Sequence, residues 1–251
     1  MKTISTYKES RGIEERAGLI YQKFAPLEKF SFLEHGFILG YKDGRRVNSG
    51  DIPRLISTVT EIPEEKFNVV IPKQIHQAEV KIFKERFPEK IINLECDALI
   101  TDQENLFLVV QVADCLPVFL ANSKSQVLGL AHIGRRGALL GMAERFVKQA
   151  SASFDSAPQD MNLILGPSIG KCCYKISDSL AVLIDDKYMD ERVADRYLDL
   201  SRLVKDKFLK SGVREENIFV VDKCTCCGDK LYQSFRRDRE KAGRMVAFIG
   251  K

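Results

Sequence analysis

Two kinds of hydrophobic pattern alternate along the chain: unbroken apolar runs, and stretches in which apolar residues recur every three or four positions. Residues 106–113, LFLVVQVA, form a run suited to a strand covered on both faces. LPVFLA at 116–121, VLGLAHI at 127–133, NLIL at 162–165, NIFVV at 217–221 and RMVAFI at 244–249 read as further strands. Residues 66–83, KFNVVIPKQIHQAEVKIF, are rich in β-branched residues around Pro72, which predicts two strands or one bent strand ending near His76. Leu139, Leu140, Met142, Ala143, Phe146 and Val147 fall close to helical spacing, so a helix is expected to start near Gly137 and run to about residue 150. Another helix is predicted from about Ser177, and a third over 198–213, ending at Gly212. With no repeat and no low-complexity linker, the pattern predicts an α/β fold, α+β being the other arrangement open to it. The expected architecture is one domain over 1–251, a layered sandwich of mixed sheets with flanking helices.

Composition narrows the function. The 251 residues, 45% of them hydrophobic, are enough for a full core. A net charge of +4 from 39 basic and 35 acidic residues is spread thinly, with no basic block longer than a pair, which argues against nucleic acid as a partner. The first residues contain no apolar signal-peptide region and no run approaches 18 apolar residues. A cytoplasmic location and no membrane partner are therefore expected. In a reducing compartment the seven cysteines (96, 115, 172, 173, 224, 226, 227) point to metal binding or nucleophilic chemistry rather than disulfides. His35, His76 and His132 are the only histidines, too few for the several copper sites of a multicopper oxidase.

LPVFLA and QVLGLAH read as the arms of a hairpin around the polar residues Asn122, Ser123, Lys124 and Ser125. A loop centred between Ser123 and Lys124 puts Cys115 directly opposite His132, on one face of the sheet. A three-residue loop, or a bulge at Pro117, would spoil that pairing. A thiol and an imidazole so placed make two metal ligands, or a nucleophile and its base, or a buried cysteine beside a core histidine. His76 supplies a third ligand, and zinc held by one cysteine and two histidines keeps a fourth position for water. IGRRG follows His132, and Arg136 beside a helix start forms a candidate anion site, while Arg135 reads as a surface charge.

The segments QIHQAEV, CDALIT, VADCLPVFL, AHIGRRG, ILGPSIGKCCYKIS, and CTCC with SFRRD and GRMVAFI occur in the order seen in the laccase-domain (YfiH-like) family, formerly called multicopper polyphenol oxidoreductases. The chain resembles that family over about residues 30 to 250. The resemblance implies an α/β fold and a zinc site on His76, Cys115 and His132. It implies phosphorolysis of purine nucleosides, including methylthioadenosine, and deamination of adenosine, with Cys115, His132 and Arg136 as catalytic residues. Arg136, Gly166, Ser168 and Tyr174 would bind the substrate. The family's residues next to these ligands are replaced here by Gln77, Ile133 and Arg135, and two in a helix by Val204 and Lys207. Some relatives are linked instead to removing a wrong amino acid from peptidoglycan precursors, a metal-dependent amide hydrolysis. A non-catalytic metal-binding protein and a blue-copper electron carrier are the readings from other classes.

Other residues have weaker claims. Cys224, Cys226 and Cys227 with Cys172 and Cys173 could build a four-cysteine zinc site, although adjacent cysteines seldom both reach one ion. Asp97 and Asp114 are candidate acid/base or supporting groups, or turn caps. Arg236 and Arg237 could reach an anion but are expected at the surface, and His35 in an exposed loop.

Overall fold

A computed structural model describes residues 12–85, 91–92, 94–192 and 195–251; the N-terminal stretch read for a signal peptide lies largely outside them. The fold is mixed α/β, built on two large sheets. The seven-stranded sheet runs in the order Glu14–Arg16, Leu19–Gln22, Glu34–Tyr41, Met245–Gly250, Leu106–Val112, Asn68–Val70, Ile91–Ile92. The six-stranded one runs Ile218–Val220, Asn162–Leu165, Leu116–Asn122, Val127–Ile133, Ala98–Thr101, Val80–Phe83. A small three-stranded sheet joins Lys175–Ile176, Asp195–Leu198 and Met189–Arg192.

The unbroken apolar runs follow from burial on both faces. Along Leu106–Val112, Leu108 and Val110 face the second sheet, where they meet Phe119, Leu128 and Leu130. Phe107 and Val109 point the other way, onto Ile52, Leu55, Ile56 and Val59 of the helix Ile52–Thr60. The outer face of the six-stranded sheet, with Val118, Leu120 and Ala131, is covered by Met142, Phe146 and Val147 from one helix and Leu203, Val204 and Phe208 from another. The layers therefore stack helix, sheet, sheet, helix. Ile133 and Val204 are both fully buried in the last interface, and Lys207 pairs with Glu144 at 2.6 Å.

Several expectations are corrected. The helix expected from Gly137 begins at Arg135, breaks after Leu139 and resumes over Met142–Phe154, because Gly141 takes a left-handed φ of 85°. Leu140 at the break is 45% exposed, off the buried face. The helix that follows Ser177 spans only Asp178–Ala181. Leu200–Lys210 is capped by the Asp199 carboxylate, which accepts from Arg202 N–H, and Gly212 follows at φ 91°.

The hairpin loop is the four residues 123–126, with Gln126 left-handed at φ 53°, so its centre lies one residue later than expected. His132 is therefore opposite Pro117 rather than Cys115, and Ile133 is opposite Leu116. The ladder passes Pro117 without a bulge. His76 belongs to neither strand of 66–83; it sits in the connection between Asn68–Val70 and Val80–Phe83.

His35 is not in an exposed loop. It lies on the strand Glu34–Tyr41, 2% exposed, where its Nε2 accepts the Phe24 N–H at 2.8 Å. Burial, helped by Lys23, lowers its pKa to about 3. The unfolded chain therefore binds a proton that the folded one refuses, so His35 contributes stability above pH 6.5 that is lost as pH falls towards 3. Between pH 7 and pH 5 this should remove about 2 kcal/mol of unfolding free energy. Urea titrations at the two pH values check it, since His35→Gln should lose that part of the difference while still accepting from Phe24.

Candidate metal centre

His132 is the last residue but one of the strand Val127–Ile133, and its neighbour Ala131 pairs with Ala98 on the next strand. That register brings Asp97, fully buried, alongside the ring. His132 Nδ1–H donates to Asp97 Oδ1 at 3.0 Å, and the backbone N–H of His132 donates to the Asp97 carbonyl at 2.7 Å. The same carboxylate accepts the N–H of His76 at 2.9 Å and of Gln77 at 2.7 Å. His76 holds a left-handed φ of 55°, a strained state for a non-glycine residue that these two bonds secure. One carboxylate thus positions both imidazoles, whose rings meet edge to face with centroids 4.7 Å apart.

Cys115 lies just outside the hairpin ladder. Two residues from Pro117 it keeps the face of the His132 position, so the pair meets diagonally across the sheet. Its sulfur occupies the space above Gly134, where a Cβ would come within 3.0 Å of Sγ. Gly137 is needed for a similar reason, since a Cβ there would stand 2.8 Å from the Gln77 carbonyl oxygen. The two glycines of GRRG let the helix start press against the turn that carries His76. As a result one ligand atom each from His76, Cys115 and His132 lie within 4.8 Å of one another.

The electrostatics favour an anionic sulfur. Burial raises the Cys115 thiol, but hydrogen bonds and charge from His132 and His76 outweigh it and bring it to about 6. Burial opposes the His132 cation, yet Asp97 and Cys115 raise it to about 9. Burial likewise opposes the Asp97 charge, and the bonds from His132, Gln77 and His76 hold it below its ordinary value. A thiolate with two imidazoles is a donor set for a borderline-soft cation such as zinc. Asp97 on Nδ1 leaves Nε2 of His132 as the ligating atom, the usual carboxylate–histidine–metal arrangement. The residues present fit the ion.

The cluster opens into a cavity of about 770 Å³ lined by Asp114, Arg135, Arg136, Tyr174, Phe235, Arg236 and Arg244 among others. Arg136 and Tyr174, the substrate-binding candidates of the sequence, are among the lining residues. Arg135 and Arg236 are corrections, for both line the cavity instead of lying on open surface. Arg236 Nη1 and Nη2 donate to the carbonyls of Cys173 at 3.3 Å and Lys175 at 3.1 Å, and its guanidinium lies 5.5 Å from the Tyr174 ring centre. Its backbone N–H donates to Asp114 Oδ2 at 2.6 Å, while Asp114 Oδ1 accepts from Thr225 Oγ1, also at 2.6 Å. Asp114 is thus a strut between the ligand-bearing segment and the C-terminal loops, which nothing local in the sequence signals. Gly166 and Ser168 stand behind the wall. A Cβ on Gly166 would meet Pro117 at 2.9 Å, and the Ser168 carbonyl accepts Thr225 N–H at 3.0 Å.

A cysteine and two histidines held at an arginine-lined cavity, on this sheet-on-sheet frame, make an α/β protein with a candidate metal centre. The frame is shared with the solved structure of the hypothetical protein YfiH of Bacillus licheniformis, with a TM-score of 0.80 and 24% identity over 96% of this chain and 99% of that one. YlmD of Geobacillus stearothermophilus superposes with a TM-score of 0.79 and 26% identity, over 95% and 98% of the two chains.

Residues 47–251 match the family described as multi-copper polyphenol oxidoreductase laccase, and the chain belongs to it. Among its relatives, a protein of Staphylococcus saprophyticus named purine nucleoside phosphorylase is 30% identical, over 84% of this chain and 83% of that one. The Geobacillus protein, named purine nucleoside phosphorylase YlmD, is 34% identical over 62% of this chain, a match that spans 60% of its own length. No helix among the described residues is long and apolar enough to cross a membrane.

Proposed function

We propose that the chain is a purine nucleoside phosphorylase in which His76, Cys115 and His132 hold a zinc ion. One observation carries the reading: a three-ligand cluster and four arginines, Arg135, Arg136, Arg236 and Arg244, open into the same cavity. At about 770 Å³ it has room for a nucleoside and an anion together, within the roughly 300–1,000 Å³ of small-molecule sites. The names of the relatives support the reaction.

In phosphorolysis a phosphate oxygen bonds to C1′ of the ribose as the glycosidic bond breaks. The bonding pair leaves with the purine, which then takes up a proton. The phosphate must be bound against its own charge, and Arg136 and Arg236 do this as charge-assisted donors. Arg236 is held ready by Cys173 and Lys175 and needs no reorganisation on binding. Tyr174 and Phe235 offer aromatic faces to the purine. Bound zinc supplies Lewis-acid stabilisation of negative charge, and Asp97 keeps its ligands aligned. Adenosine, inosine and methylthioadenosine are the substrate class, and deamination of adenosine is the further activity of the centre.

The test is chromatography of inosine, adenosine and methylthioadenosine incubated with zinc-loaded protein, with and without phosphate. Phosphate-dependent release of free base is expected. Zinc-loaded protein that releases none overturns the proposal in favour of amide hydrolysis or a non-catalytic metal protein, and inosine formed from adenosine without phosphate isolates the deaminase. Arg136→Ala should weaken phosphate by about ten- to a hundredfold, the value of a charged hydrogen bond of roughly 1.5–3 kcal/mol. Initial rates against phosphate at fixed inosine measure it, and an unchanged phosphate KM would remove Arg136 from the anion site.

A further inference from the structure

Away from His76, Cys115 and His132, a second group of cysteines gathers where two loops meet. The Sγ atoms of Cys172, Cys173, Cys224 and Cys227 all lie within 4.8 Å of one another, and those of Cys172 and Cys227 are 3.3 Å apart. Zinc–sulfur bonds of about 2.3 Å put the sulfurs of a tetrahedral four-cysteine site about 3.8 Å apart, inside that range. The backbone explains how adjacent cysteines both contribute. At 170–174 the N–H groups of Cys173 and Tyr174 share the Gly170 carbonyl, at 2.9 and 3.0 Å, which winds Cys172 and Cys173 into one tight turn.

The other half, CTCCG, has the two-residue spacing of a metal-holding cysteine pair. Gly228 N–H closes the turn on the Cys224 carbonyl at 2.9 Å, and any side chain on Gly228 would collide with that oxygen. Gly170 N–H donates to Cys224 Sγ at 3.3 Å. The N–H groups of Cys227 and Cys226 act on the same sulfur, so three amides converge on one acceptor, the surroundings of a thiolate. Burial raises the Cys224 thiol, but these amides bring it down to about 7. Burial and the neighbouring sulfurs push Cys172 up to about 12 and raise Cys173 as well. Four sulfurs this close cannot all release their protons unless a cation stands among them.

We propose that Cys172, Cys173, Cys224 and Cys227 hold a structural zinc ion that pins the turn before Tyr174 to the loop before Arg236. On binding, each cysteine still protonated gives its proton to solvent, and one Zn²⁺ with four thiolates carries a net charge of −2. Two guanidiniums hold the carbonyls of these loops: Arg236 on Cys173, and Arg237 on Thr225 at 3.1 Å and Cys226 at 3.2 Å. They offset the charge. With all four positions filled by protein the ion has no open corner, so its role is to fix the wall of the cavity that carries Tyr174 and Arg236.

Metal analysis of the full chain, purified under reducing conditions and equilibrated with zinc, tests this. The wild type should hold two zinc ions, Cys172→Ser/Cys227→Ser one, and Cys226→Ser two. His76→Ala/His132→Ala should keep one, and with cobalt in place of zinc should give the strong visible absorption of a tetrahedral thiolate centre. Because that last variant retains all four cysteines, it tests the second ion independently of the first and of any nucleoside chemistry. No bound ion in it, a disulfide between Cys172 and Cys227 in the reduced preparation, or two ions retained by the Cys172→Ser/Cys227→Ser variant each overturns the proposal.

Discussion

Asp97→Ala should weaken zinc at the His76–Cys115–His132 centre by at least about 100-fold, the upper end of what loss of one supporting partner does to a metal site. The effect is large because the carboxylate serves two ligands. Its removal frees the His132 ring to take the other tautomer or turn, and deprives the left-handed turn at His76 of both its acceptors. The N–H groups of His76 and Gln77 are left without a partner in a part-buried setting, at roughly 1–3 kcal/mol each. Loss of stability and loss of metal should therefore come together. Competition with a calibrated chelator, beside thermal unfolding of the metal-free protein, measures both. Wild-type zinc affinity in Asp97→Ala would show that the rings are held by something else. Asp97→Asn is the milder change, since an amide can still accept from His132 but presents a donor to one of the two backbone N–H groups.

Cys115→Ser should remove the metal more completely and the fold hardly at all. A serine hydroxyl stays protonated at neutral pH and is a poor zinc ligand, which leaves two imidazoles to hold the ion. The loss should exceed the ten- to hundredfold typical of an outer partner, and phosphate-dependent base release should fall with it. Oxygen is smaller than sulfur, so the space above Gly134 still accommodates the side chain and unfolding should shift by no more than about 1 kcal/mol. Metal analysis and the nucleoside assay on one preparation decide the matter. Full activity without Cys115 would mean that the chemistry lies elsewhere in the cavity.

How much of this was legible in the sequence depended on the range of the interaction. The runs at 106–112, 127–133 and 245–250 became buried strands because continuous burial leaves a local trace. The register that the sequence suggests for Cys115 and His132 differs from the observed one by two residues. Their meeting survives because a shift of two keeps side chains on the same face, where a shift of one would have turned the sulfur away. His35 reads as a loop residue because a glycine follows it. The alternation on to Phe37 and Leu39, which face the core with it, was the signal to follow. Asp97 is visible in the sequence as a candidate but not as the support of both histidines, since it reaches them from the bend that leads into a neighbouring strand. Arg135 and Arg236 read as surface charges in the sequence because the cavity they line is assembled from segments more than a hundred residues apart.

The position of the strand Met245–Gly250 between Glu34–Tyr41 and Leu106–Val112 has a consequence for how the molecule is made. As the chain leaves the ribosome, both neighbours wait with unpaired, apolar edges until residues 245–250 arrive to fill the gap. The inter-sheet core therefore closes late, and such a nascent chain is exposed to edge-to-edge aggregation in the meantime. Non-local pairing of this kind also slows the search for the native state. Deleting residues 245–250 would remove the central strand of the seven-stranded sheet.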